Sequence, residues 1–194
     1  MENVNNEPLE LEFKYDATDI KLQDFEALMA KLSTIKRLER SSWDVYYTLN
    51  ERRDFFARYR KSDETPELTK KRRLKESVWE RVEADLPLDP KKITEKAIKD
   101  FLDFEGMKEN FRIFKSCFIY FLDNLNYVYY TVYDKNMKEV GRFIEVEVNK
   151  EKVTELGITV KDVLKEGEKT LAAIGITPQH RLRRSLFDMY ADKL

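Results

Sequence analysis

The chain of 194 residues is long enough for one domain with a sizeable core, and 42% apolar with 38% charged residues is a globular, soluble composition rather than a disordered one. A formal net charge of −1 excludes a bulk electrostatic pull toward nucleic acid or a membrane surface, so charge must act by placement. The single cysteine, Cys117, excludes an internal disulfide and suits a reducing, cytoplasmic setting, and the five glycines form no phosphate-cradling loop.

The amino terminus is acidic and Asn-rich without an apolar stretch, so no signal peptide is expected. A first strand is expected over about 8–15, followed by an amphipathic helix over 17–33, where Ile20, Leu22, Phe25, Leu28, Met29 and Leu32 recur at helical spacing. Strand-like runs follow near 43–49, 55–61, 67–74 and 78–86. Asp89-Pro90 opens a predicted helix of about 91–106. Strands are predicted over about 111–122, 127–134 and 139–149, with a turn at Asp123–Asn126. The apolar run from Cys117 to Leu122 is far too short to span a bilayer. Helices are expected over about 150–156, 159–173 and from Pro178 to about 192. No repeat or linker interrupts the chain, so 1–194 reads as a single α+β domain. Its expected architecture is an eight-stranded antiparallel β-barrel with helices packed outside and a closing helix at the carboxyl end.

Strand parity puts charge on one face repeatedly. Glu10, Glu12 and Lys14 point one way while Leu11 and Phe13 point the other. An acid-x-acid triplet would occur roughly seven times by chance in so acidic a chain, so one triplet carries little. The pattern recurs, however. Arg58 and Arg60 share a face, as do Thr69, Lys71 and Arg73, then Arg81, Glu83 and Asp85, and finally Phe143, Glu145 and Glu147; Asp134 is the candidate on the strand before the last. Any one such strand reads most simply as a solvated face with cross-strand ion pairs. Several at matching parity read instead as the walls of a charged cavity. Carboxylates suit Mg²⁺ or Mn²⁺, and lysine and arginine suit phosphoryl oxygens, so a polyphosphate with a hard divalent metal accounts for the mixture.

In order, these motifs resemble the CYTH superfamily, the triphosphate tunnel metalloenzymes. The family's E-x-E-x-K opening is met by Glu10, Glu12 and Lys14, and its tyrosine, arginine and lysine strands by Asp44-Val-Tyr46-Tyr47-Thr48, Arg58-Tyr59-Arg60 and Leu68-Thr69-Lys70-Lys71. Arg81-Val-Glu83-Ala-Asp85 matches R-x-E-x-E with Asp in place of the second Glu. Asp134 and Gly141-Arg142-Phe143-Ile144-Glu145-Val146-Glu147 match the ending. Gly175-Ile176 and Arg184 to Met189 resemble the closing helix. The departures are a missing Asp after Tyr47, Leu186 and Phe187 where a Tyr is usual, and opposite parity for Arg112 and Lys115, of which Lys115 is the favoured inward cation.

The resemblance implies hydrolysis of inorganic tripolyphosphate, a nucleoside triphosphate or thiamine triphosphate; a monomer or homodimer is expected, and the near-neutral charge leads to no expected nucleic-acid or membrane partner. Lys14, Arg58, Arg60, Lys71, Arg73, Arg81, Lys115, Arg112 and Arg184 would bind phosphates. One metal on Glu10, Glu12 and Glu147 would bridge them, and a second held from Glu83, Asp85, Asp134 and Glu145 would polarise a water for in-line attack. The catalytic set is therefore Glu10, Glu12, Lys14, Glu83, Glu145 and Glu147. A class IV adenylyl cyclase is the alternative; Asn5-Asn6-Glu7-Pro8-Leu9 lacks the His-Phe pair usual there. A non-catalytic nucleotide or polyphosphate binder is the other alternative. His180 reads as a surface or capping residue, Cys117 as core, Trp43 and Trp79 as core packing, and Tyr127, Tyr129, Tyr130 and Tyr133 as ordinary strand composition. Arg181, Arg183 and Arg184 read equally as a phosphate clamp or a solvated face.

Overall fold

Period-two alternation dominates the chain, and it becomes nine strands in a computed structural model that describes residues 12–49, 55–62, 65–73, 81–149, 152, 153, 155 and 157–194, without the side chains of Arg73, Arg81 and Val82. The strands are β1 (Glu12–Asp16), β2 (Lys36–Leu49), β3 (Phe55–Lys61), β4 (Glu67–Arg73), β5 (Arg81–Pro87), β6 (Met107–Phe121), β7 (Leu125–Tyr133), β8 (Glu139–Val148) and β9 (Arg181–Leu182). They hydrogen-bond in the order β5-β4-β3-β2-β6-β7-β8-β1-β9. Among the described residues this is an open series of nine strands with ends at β5 and β9, where the sequence pattern predicts eight in a closed or nearly closed ring. The main helices are α1 (Leu22–Met29), α2 (Glu95–Phe104), α3 (Val160–Leu171) and α4 (Leu186–Tyr190).

The ninth strand comes from the predicted terminal helix. Pro178–His180 makes a single tight turn, and Arg181–Leu182 then pairs with β1, Lys14 opposite Leu182 and Tyr15 opposite Arg181. Helix resumes only at Ser185, whose hydroxyl accepts the Asp188 N–H at 3.1 Å while the Asp188 carboxylate accepts the Ser185 N–H at 3.0 Å. That reciprocal cap satisfies two amide donors that a helix start leaves open, and so sets where α4 begins. Capping also moves the start of α2. Asp89 accepts the Lys91 N–H in a turn, and the helix starts after Thr94, whose hydroxyl accepts from Ala97.

The residues form two compact units, with β2 and β6 each contributing a segment to both. The first unit contains residues 42–114 and 184–194. Val45, Tyr47, Ala57, Tyr59 and Leu68 cover one face of its strands and pack with Ile98 and Leu102 of α2. The opposite parity carries Asp44, Arg58, Arg60 and Lys71. It also carries Tyr46 and Phe56; Tyr46 stacks on Phe111, and Phe56 on Phe187 of α4, each pair with ring centroids 4.5 Å apart.

The second unit contains 11–41 and 115–183. Tyr15, Tyr127, Tyr129, Ile144 and Val146 make its apolar face and pack with Phe25, Leu28 and Met29 of α1 and Val163, Leu164 and Leu171 of α3. α3 lies so close to β8 that a Cβ on Gly167 would stand 2.6 Å from a methyl of Val146. Helix on one face leaves the other parity (Glu12, Lys14, Glu145, Glu147) for polar work.

Candidate functional site

Register builds the polar cluster of the second unit. β1 and β8 run antiparallel with Glu12 opposite Glu147 and Lys14 opposite Glu145. Like charges directly opposite each other destabilise a sheet, yet here carboxylate oxygens of Glu12, Glu145 and Glu147 lie within 4.8 Å of one another. Lys14 offsets part of this, its Nζ standing 3.2 Å from Glu12 Oε1 and 3.0 Å from Glu145 Oε1. Tyr130, on β7, donates its hydroxyl to Glu145 Oε1 at 2.7 Å, and the Lys115 ammonium sits over the Tyr130 ring, 4.2 Å from its centroid. Burial alone would raise the Glu145 pKa; Lys14, Lys115 and the Tyr130 hydrogen bond outweigh it and hold the carboxyl below its ordinary value. The Tyr130 hydroxyl is pushed well above its ordinary value by burial and by the Glu145 charge, so it is a donor.

Three carboxylates at this spacing, with oxygen donors only, fit a hard divalent cation. Glu12, Glu145 and Glu147 would hold it.

The first unit has the opposite logic, because register sets cations against acceptors. Arg60 faces Asp44 across β2 and β3 and grips it in a fork, Nε to Oδ1 at 2.9 Å and Nη2 to Oδ2 at 3.1 Å. Asp44 is 0% exposed, so this pairing compensates a carboxylate removed from water. Lys71 faces Glu83 across β4 and β5, with 2.9 Å between Nζ and Oε2. Arg58 donates through Nη2 to Glu67 Oε1 at 2.9 Å and Thr69 Oγ1 at 3.0 Å, and Thr69 Oγ1 stands 2.7 Å from Asp85 Oδ1. Burial opposes the Arg58 charge and Arg60 adds to that, but Asp44, Tyr46 and Glu83 raise its pKa. Its buried Nε has no hydrogen-bond partner among the described residues.

Other sequence candidates fall elsewhere. Asp134 follows the last residue of β7, and its Oδ1 accepts the backbone N–H groups of Asn136 and Lys138; it shapes the β7–β8 turn and is not among the three gathered carboxylates. Arg112 forks onto Glu109 at 2.8 and 2.9 Å and lies 3.3 Å from Glu95 of α2, whereas Lys115 is buried against Tyr130. Arg73 and Arg81 pair at Cα level across β4 and β5, and their side chains lie outside the described residues. Glu10 and Trp79 also lie outside them. Arg184 is exposed. Arg181 donates to Glu168 at 2.6 Å with its guanidinium over Phe13. His180 caps its own turn, Nδ1 accepting the Thr177 N–H at 3.1 Å. Trp43 meets Phe114 edge-on, and Cys117 is half-buried. Tyr130 and Asp44 are the polar residues that sequence reasoning left out of the site. Parity was the available signal, since Tyr130 pairs with Phe143 two positions from Glu145 on the same face.

No protein-family model matches the sequence, and no curated protein matches it. Solved structures do. A conserved hypothetical protein of Pyrococcus furiosus is similar over 91% of this chain and 97% of its own, with TM-score 0.69 and 22% identity. A Vibrio parahaemolyticus protein provisionally described as an adenylate cyclase is similar over 93% of this chain and 97% of its own, with TM-score 0.65 and 12% identity. A Hippeastrum protein, first assigned as an adenylyl cyclase and described as having a dominant triphosphatase activity, is similar over 87% of this chain and 88% of its own, with TM-score 0.50 and 15% identity. The chain therefore shares the fold of these proteins, as expected from the resemblance of its motifs to the CYTH superfamily. No helix among the described residues is long and apolar enough to cross a membrane.

Proposed function

We propose that this protein is a divalent-metal-dependent triphosphatase, cleaving the terminal phosphoryl group from inorganic tripolyphosphate, a nucleoside triphosphate or thiamine triphosphate. The observation that carries the reading is the Glu12, Glu145 and Glu147 group, carboxylates held within 4.8 Å by register despite mutual repulsion. Such a group gains from a cation what it loses to its own charge. Mg²⁺ or Mn²⁺ held there would supply charge neutralisation for the phosphoryl oxygens. Lys14 and Lys115 add ammonium donors in the same unit. In the first unit Arg58, Arg60 and Lys71 carry guanidinium and ammonium donors oriented by acceptors on neighbouring strands. Water attacks the terminal phosphorus, the bridging P–O bond breaks, and orthophosphate leaves with the shortened polyphosphate. Donors fixed before the reaction stabilise charge that spreads over the moving phosphoryl oxygens without reorganising.

Pure protein incubated with tripolyphosphate, ATP and thiamine triphosphate, each with Mg²⁺ or Mn²⁺, tests this. Metal-dependent release of orthophosphate is expected. Pyrophosphate with cyclic AMP from ATP would reassign the chain to cyclase chemistry, as in the neighbours provisionally described that way. Tight binding without turnover would leave a non-catalytic binder.

A further inference from the structure

We propose that Tyr130 is the positioning residue of the carboxylate group, a role that rests on the metal-site reading above. Glu145 is the most buried of the three glutamates, and its two hydrogen-bond donors, the Lys14 ammonium and the Tyr130 hydroxyl, both fall on Oε1. Among the described residues Oε2 accepts from no donor, so it is the oxygen presented to a cation. Lys14 carries its charge on a four-carbon stem with several rotatable bonds, and an incoming phosphate would compete for it. Tyr130 is not free to follow, because its ring is fully buried against Phe143, with centroids 5.3 Å apart. Its hydroxyl has one proton to give, and at 2.7 Å that proton goes to Glu145. The hydroxyl thus fixes the carboxylate rotamer by a short, charge-assisted bond, as partners of metal-ligating carboxylates do elsewhere. The same ring is the platform for Lys115, so one side chain holds a carboxylate by its edge and an ammonium by its face.

The test is Mn²⁺ binding by calorimetry, in the absence of substrate. Tyr130→Phe keeps the ring, its packing and the seat for Lys115, and loses only the donor. We expect Mn²⁺ affinity to fall by about tenfold, in line with the usual effect of removing such a partner, while the thermal midpoint of the metal-free protein moves little. Replacing Tyr130 by 3-fluorotyrosine retains the donor and is expected to retain wild-type affinity, which keeps the proposal falsifiable if the phenylalanine variant does not fold. Wild-type Mn²⁺ affinity in a folded Tyr130→Phe protein, or loss of affinity with fluorotyrosine, would overturn the role of Tyr130 alone. No Mn²⁺ binding by the wild-type protein would remove the metal-site reading and this proposal with it.

Discussion

The strand pair β1/β8 and the strand trio β3/β4/β5 use the same alphabet of alternating charge and reach opposite electrostatic results. In the trio three cations of the charged parity stand opposite acceptors, Arg58 opposite Thr69, Arg60 opposite Glu67 and Lys71 opposite Glu83, and only at the strand ends does Arg73 stand opposite Arg81. In the pair, Glu12 is set against Glu147. Acid-x-acid spacing does not separate the two cases; register does. A paired ladder neutralises itself, whereas a face with carboxylate opposite carboxylate needs something from outside.

The sharpest way to break the comparison is to remove one facing carboxylate. If the proposed triphosphatase reading holds, Glu147→Gln or Glu12→Gln is expected to lower turnover by at least about a hundredfold, since a charge that would hold the metal is lost. The metal-free protein should become more stable at the same time, because a like-charge contact has been relieved. Circular dichroism with thermal melting and a phosphate-release assay on the same sample separate the two effects. Activity retained in both variants would mean that the pair is only an ordinary sheet edge.

The ladder should answer differently, with stability falling first. Arg60→Met removes the fork on Asp44, a carboxylate with 0% exposure, and is expected to destabilise by about 3 kcal/mol in denaturant unfolding. A smaller effect is expected at Gly167. Ala is the better helix former by about 1 kcal/mol, but the added methyl would meet Val146 at 2.6 Å inside the core. Overpacking costs about 1–3 kcal/mol, so Gly167→Ala should lower the melting temperature slightly rather than raise it.

The smallest effect is on acid stability. Glu145 titrates below its ordinary value in the fold, so its contribution is complete above the unfolded-state pKa of about 4.3 and is lost as pH falls through the lower folded value. Unfolding midpoints recorded down that range should fall more steeply for the wild type than for Lys14→Met, which loses the nearest cause of the depression. At the alkaline end, Tyr47 is pushed up to about 12 by burial and by Glu109 and Glu95, so its share of stability declines as pH rises from about 10.

Strands and the parity of their charged faces were largely legible. The runs at 55–61, 67–74 and 139–149 lie within about a residue of β3, β4 and β8. Partnering was not legible, because alternation says which face a residue takes but not what stands opposite. Asp134 illustrates this, an acid at the expected position whose carboxylate is spent on two turn amides. Tyr130 illustrates the reverse. A tyrosine among tyrosines has no compositional signal, and only the placement of β7 beside β8 gives its hydroxyl a carboxylate. The terminal segment was misread because helical spacing continued through Arg181 and Leu182, while pairing with β1 and the Ser185 cap outweighed it.

The most direct measurement is anomalous diffraction from crystals grown with Mn²⁺, recorded at the manganese edge. A peak within coordinating distance of oxygens from Glu12, Glu145 and Glu147 is predicted. A structure at saturating Mn²⁺ with no peak there, and with Lys14 still seated between Glu12 and Glu145, would contradict it.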